Sequence, residues 1–321
     1  EVPYLILDEV HDIIFVVTTQ FILSYETFKF FTALRQNRPI PKLDFNAYQN
    51  YQKFQAITSV EVYKDHLFIV GDGKVNAYLI DPSKGEVALE KTIDENLIGI
   101  GEVNIVDMTF ATLRKRDYLF ALDKLQGIHV IDITSIQSMH PLLGKRAKID
   151  KGDFIIRVEN SLSVIVAQGK NPAIVEYVLS TDENGDPTIE FNRRTELAMA
   201  VRDVYTDGAY LYLLSGYINL VTKHSIPGRY NSSELEYLDN TWISLGAKAI
   251  VANPQNDYSE VIVLTEDFIQ NFTFKEINPE MECSIRRIPP GEYKYELEAV
   301  QSQCELKDMN SQSDFNTVCI I

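Results

Sequence analysis

The stretch HLFIVGDGKVNAYLIDPSKGE, from His66 to Glu86, reads as two short apolar strands joined by an Asp-Gly turn and closed by a Pro-Ser-Lys-Gly turn. Asp-Gly between alternating apolar residues is a strong hairpin signal, because both turn positions need a left-handed backbone. The same outline recurs as DIIFVVTTQFILSYETF (Asp12 to Phe28), YLFALDKLQGIHVIDI (Tyr118 to Ile133), LSVIVAQGKNPAIVEYVL (Leu162 to Leu179), YLYLLSGYINLVTKHSI (Tyr210 to Ile226) and EVIVLTEDFIQNFTF (Glu260 to Phe274). Phe15, Phe68, Leu119, Ile165, Tyr212 and Ile262 mark the first-strand centres, so the spacing is 46 to 53 residues. A period in that range is the mark of small sheets that must stack on their neighbours. The expectation is an all-β chain, a β-propeller of six blades with a seventh left open, followed by a cysteine-containing C-terminal extension.

Around the first stretch four strands are expected: Ala56 to Tyr63, His66 to Val70, Lys74 to Asp81 and Gly85 to Ile93. Lys64-Asp65, Gly71-Asp72-Gly73 and Pro82-Ser83-Lys84 supply the turns. The runs FIV, LFAL, VIVA, LYLL and VIVL do not alternate, as expected of second strands buried on both faces. Expected blade boundaries are 1–55, 56–101, 102–149, 150–196, 197–245 and 246–289, with 290–321 as an extension or the start of a cysteine-rich module. The first blade is irregular, since Phe30 to Phe54 carries a Pro-x-Pro break and reads as an insertion or a displaced outer strand.

KVNAYLIDPSKGE resembles the strand and turn of PQQ- and YVTN-type propeller repeats, and LQGIHVIDITSI resembles the LVIVD-type repeat, with Asp81 and Asp132 at the matching position. The resemblance covers two blades well and the rest in apolar outline. Neither a Gly-His and Trp-Asp pairing nor a Trp-docking motif occurs, so what the resemblance implies is a fold and no chemistry.

Composition narrows function by exclusion. The formal charge of −16 repels phosphate backbones, and the densest basic cluster, Arg114 to Arg116, reads as a solvated hairpin tip. No apolar run reaches the length of a membrane span. The five histidines are spread over four units and read as structural, and no nucleophile elbow, P-loop or dinucleotide fingerprint occurs.

Other features point to an extracellular or cell-surface compartment. Cys283, Cys304 and Cys319 cluster in the last 39 residues of a chain otherwise free of cysteine, and read as disulfide-forming. Asn231 and Asn271 head glycosylation sequons. The chain opens on Glu1, which reads as processed or truncated. The inserted aromatics Phe45, Tyr48, Tyr51 and Phe54 are the candidate interaction surface for protein partners, copies of the chain included.

Two acidic patterns offer metal chemistry. Asp182, Asn184 and Asp186 open like a calcium loop, but Pro187 stands where the turn glycine belongs and Arg193 where a closing Glu should be, and a hairpin turn between two strands explains the stretch without an ion. Asp8, Glu61, Asp107, Glu159 and Asp203 sit near inner-strand ends with no aligned position shared from blade to blade, and read as a solvated rim. The main expectation is therefore a non-catalytic structural and interaction module without cofactor. The alternative is a calcium-dependent, lactonase-like propeller hydrolase, and a weaker one an intracellular scaffold.

Overall fold

The structure, a computed structural model, describes residues 4–8, 10–36, 38, 53–99, 102–145, 147–149, 152–158, 161–167, 171–206, 210–216, 220–225, 236–243, 247, 249–252, 260–264 and 269–273. All of its strands lie within the compact unit Glu1–Phe274. They form six antiparallel meanders. The first holds β1 (Tyr4–Asp8), β2 (Ile13–Val17) and β3 (Ile22–Glu26). The second holds β4 (Ile57–Tyr63), β5 (His66–Gly71), β6 (Lys74–Asp81) and β7 (Glu86–Ile93). The third holds β8 (Ile105–Leu113), β9 (Arg116–Asp123), β10 (Gly127–Asp132) and β11 (His140–Pro141). The fourth holds β12 (Phe154–Val158), β13 (Ser161–Val166), β14 (Ala173–Thr181) and β15 (Pro187–Glu196). The fifth holds β16 (Val201–Thr206), β17 (Tyr210–Ser215), β18 (Leu220–Ser225) and β19 (Glu236–Trp242). The sixth holds β20 (Ala249–Ala252), β21 (Glu260–Leu264) and β22 (Ile269–Thr273).

Each sheet's first strand packs against the first strand of the next, and β20 returns to β1, which closes a propeller around a central axis. The expected all-β propeller is what the chain forms. Turn chemistry sets the hairpins. Asp72 and Gly73, at φ 53° and 75°, link β5 to β6, while Arg114 and Lys115, at 47° and 69°, link β8 to β9. Two successive left-handed residues make the turn whose twist matches the strands it joins.

Burial follows strand position. The second strands β5 and β9 are buried along nearly their whole length, whereas the outer strands β7 and β15 are mostly half-buried or exposed and form the rim. The core is accordingly a series of apolar layers between successive sheets. Phe68, Val75, Phe110 and Leu119 fill the layer between the second and third, and Phe120, Val130, Leu162 and Val175 the layer between the third and fourth. The three-stranded first sheet gains helix α1 (Thr27–Arg35), whose Phe30 and Phe31 pack on Ile14 and Tyr25. The reading of a displaced strand from Phe30 onward is thus corrected as far as Arg35: Phe30, Phe31 and Ala33 bury one helical face without an alternating pattern.

Phe54 is also corrected. It is 4% exposed and belongs to the layer between the first two sheets, so it is core and not interaction surface. Phe45, Tyr48 and Tyr51 lie outside the described residues. A Cβ placed on Gly71 would lie 2.3 to 2.7 Å from the Phe54 ring. Gly71→Ala is therefore expected to cost about 2 kcal/mol of stability by overpacking, read from the denaturation midpoint. Phe54→Leu in the same chain should recover part of that loss, and simple additivity would refute the contact as its cause.

Candidate functional site

The first strand of each sheet is hydrogen-bonded by its second strand along one edge and turns the other toward the axis. Backbone groups on that inner edge need partners, and side chains from the neighbouring sheet supply several. The Tyr4 hydroxyl donates to Ile57 O at 2.9 Å, Ile155 N donates to Asp107 Oδ2 at 2.7 Å, and Ile250 N donates to Asp203 Oδ2 at 2.8 Å. Ser59 hydrogen-bonds Asp107. Each link joins neighbouring inner strands, so the ring is tied by side chains as well as by packing.

The register shows why these positions escape a linear reading. β4, β8 and β16 each carry a bulge near the start, and the residue just past it faces the second strand in the same way: Ser59 opposite Val70, Asp107 opposite Leu122, Asp203 opposite Leu214. The carboxylates read as sharing no position do share one in Asp107 and Asp203. The extra bulged residue and the unequal repeat length conceal it.

Burial makes the cluster electrostatically coupled. The Asp107 carboxyl is raised to about 7 by desolvation, against the opposing pull of its hydrogen bonds from Ser59, Ile155 and Met108, with a further rise from Asp203. Desolvation lifts Asp203 to about 6 in spite of bonds from Ile250 and Val204. Glu61 stands well above the usual carboxylate range through desolvation and the nearby Asp107. The Tyr4 hydroxyl is raised by desolvation and by Asp203 and Asp107. Four side chains from β1, β4, β8 and β16 thus share one field. Glu61, half-buried, takes no hydrogen bond from any described residue, unlike the anchored Asp107. Two raised carboxyls side by side can hold a proton at one atom and accept one at another.

The reading of a solvated acidic rim is corrected for these residues. Asp8 is used differently. It is fully buried, accepts from Val10 N and His11 N at 3.1 Å each, and bonds His11 Nδ1 at 2.7 Å, which fixes the turn after β1. Glu159 lies outside the described residues.

Calcium fits poorly with the donors present. Among the described residues no three His, Cys, Asp or Glu side chains gather closely enough to hold a metal ion. Asp182 receives the N–H groups of Asn184 at 2.9 Å and Asp186 at 3.0 Å and is paired with Lys145. Asp186 faces Arg116 at 3.4 Å, and Asp182, Asn184 and Asp186 form the β14–β15 hairpin turn, as the turn reading of that stretch expects. Asn271 lies in β22 opposite Ile262. Asn231, Cys283, Cys304 and Cys319 lie outside the described residues. No described helix is long and apolar enough to cross a membrane.

No family model matches the chain. No curated protein matches it either. Solved structures do share its fold. A putative 6-phosphogluconolactonase from Bacteroides uniformis is similar with a TM-score of 0.58 at 12% identity, over 86% of this chain and 83% of that one. The periplasmic gluconolactonase of Pseudomonas aeruginosa is similar with a TM-score of 0.57 at 14% identity, over 84% and 80%. The Dos1 propeller gives 0.50 at 10%, over 86% and 79%. The expectation of a non-enzyme is corrected here. Two of the structures that share this fold are named as lactonases, and the axis carries coupled carboxyls instead of inert packing.

Proposed function

We propose that the chain hydrolyses sugar lactones at the axial carboxyl cluster. The observation that carries this reading is the Glu61–Asp107 pair, two neighbouring carboxyls both raised by burial, Asp107 to about 7, in the same field as Asp203 and Tyr4. The lactone class comes from the named activities of the two fold neighbours. Ionised Asp107 takes a proton from water as its oxygen attacks the lactone carbonyl, forming a C–O bond. The ring C–O bond then breaks, and Glu61 donates its proton to the departing ring oxygen. The new carboxylic acid gives its proton to the ionised Glu61, and Asp107 releases the proton taken from water to solvent. The resulting carboxylate is repelled by the acidic axis, which favours its release. The same repulsion favours an uncharged lactone over a phosphorylated one. Because the described donors do not gather around a metal ion, no step is routed through calcium.

The test is the rate of glucono-1,5-lactone hydrolysis above the spontaneous background, followed by pH-stat titration. Wild-type protein should show a bell-shaped profile whose acid limb rises near pH 7, where Asp107 ionises. Glu61→Gln keeps the shape of the side chain but has no acidic proton, and should lower kcat/KM by about 100-fold. A wild-type rate equal to background, or full activity in Glu61→Gln, would overturn the assignment.

An extracytoplasmic placement belongs to the same proposal, on the strength of the late cysteines and the two sequons. Intact mass with and without reductant and glycosidase reads both modifications, and an unmodified, fully reduced chain recovered from its native source would refute it.

A further inference from the structure

Away from the axis, a cavity of about 360 Å³ opens between the second and third sheets. It is large enough for a small organic molecule. The β4–β5 turn supplies Lys64, Asp65 and His66, β7 supplies Glu90, β9 supplies Asp117, and the segment after β10 supplies Ser135. Phe68, Ile133 and Ile136 give it an apolar wall.

The polar groups are positioned before any ligand arrives. Asp117 is held below the usual carboxylate range: its burial would raise it, and bonds from Lys64, Thr112 and Tyr63 outweigh that effect. The Tyr63 hydroxyl lies 2.8 Å from Asp117 Oδ1 and 2.7 Å from Thr112 Oγ1, and its ring stacks on Phe110 at 4.7 Å. Lys64 pairs with Asp117 and cancels its charge. His66 Nε2 sits 2.8 Å from Glu90 Oε2, leaving Oε1 of Glu90 with no partner among the described residues. Asp65 is mostly exposed at the mouth, its Oδ1 3.4 Å from His11 Nε2. Three carboxylates against one lysine leave the lining negative.

We propose that this cavity is a binding site for a small hydroxylated cation of the amino-sugar or amino-alcohol class. An ammonium group is received by Glu90 Oε1 and Asp65, hydroxyls meet the Ser135 hydroxyl and the His66 ring, and the carbon face lies on the Phe68–Ile136 wall. Negative lining selects against phosphorylated and carboxylated ligands, and the pre-paired Lys64–Asp117 unit supplies no free cation to attract them. The site is separate from the axial cluster and stands whether or not that cluster is catalytic.

Titration calorimetry with glucosamine, glucose and 6-phosphogluconate on the full chain tests it. Glucosamine should bind saturably, glucose about tenfold or more weakly, and 6-phosphogluconate not at all. Glu90→Gln should lose about tenfold in glucosamine affinity and little in glucose affinity, because it removes the charge while keeping an acceptor. Ser135→Ala, a milder change on an exposed segment, should weaken both sugars alike. No saturable binding of glucosamine, equal affinity for glucosamine and glucose, or an unchanged affinity in folded Glu90→Gln would each overturn the site.

Discussion

Replacing Gly127 by alanine is expected to destabilise the fold by about 4 kcal/mol, which in a domain of this size lowers Tm by roughly 8 to 15 °C. Gly127 opens β10 at φ +91°, where a side chain is already strained. Space adds the larger penalty: a Cβ there would lie 2.0 Å from Ala147 O, 2.9 Å from Ile149 N and 3.0 Å from Lys148 Cα. These are backbone atoms held by the Ile128–Ala147 bridge, with Ile128 N donating to Ala147 O at 2.8 Å, so they cannot swing aside as a rotamer would. Gly99 is the control. It caps helix α2 (Glu95–Ile98) at φ +68° with nothing within 4 Å of a built Cβ, so Gly99→Ala should cost only about 1 kcal/mol. Differential scanning calorimetry on both variants separates backbone strain from collision. Equal losses would show that the contact with Ala147 is not the cause.

Stability is expected to fall as pH rises from about 4.5 to 8, against the usual plateau across neutrality. The sign follows from the axis. Asp107 and Asp203 start from an ordinary 3.8 and reach about 7 and about 6 in the folded chain, so the folded state holds their protons more tightly than the unfolded one. Their stabilisation is complete below 3.8 and is lost as pH passes through about 6 and then about 7. For Asp107 alone, three pH units correspond to about 4 kcal/mol. At the acid end the opposite groups act: Asp117 and Asp123 are lowered, and their contribution disappears as pH drops below the ordinary value of 3.8. The optimum should therefore lie near pH 4 to 5. Melting curves across this range read the effect, and Asp107→Asn should flatten much of the slope while keeping an acceptor for Ile155 N. A Tm that is constant or rising between pH 5 and 8 would refute the raised carboxyls.

The hairpins were legible because their information is local. Asp72-Gly73 states its own turn, and an unbroken run such as LFAL states burial on both faces. The axial site was legible only in part. Glu61, Asp107 and Asp203 stood out as carboxylates near inner-strand ends, yet their convergence depends on bulges and on ring closure, which local spacing does not encode. Tyr4 and Ser59 gave no signal at all, since a tyrosine and a serine on strands are ordinary surface residues until a neighbouring strand brings its carbonyl or carboxylate within reach. Phe54 misled for a related reason: an aromatic beyond an irregular stretch looks displayed until Gly71, distant in sequence, offers it a seat.

Each sheet is a meander of strands consecutive along the chain, whereas the β20–β1 contact joins segments about 245 residues apart. Almost all pairing is therefore of low sequence separation and can form early, while a single long-range junction must wait for every unit to be in place. Its entropic cost grows only logarithmically with the intervening length, so lengthening any rim loop should leave the equilibrium nearly untouched. What that junction should govern is time: closure is expected to be a late event of folding, and a substitution that loosens the β20–β1 contact should raise the unfolding rate more than it changes the folding rate.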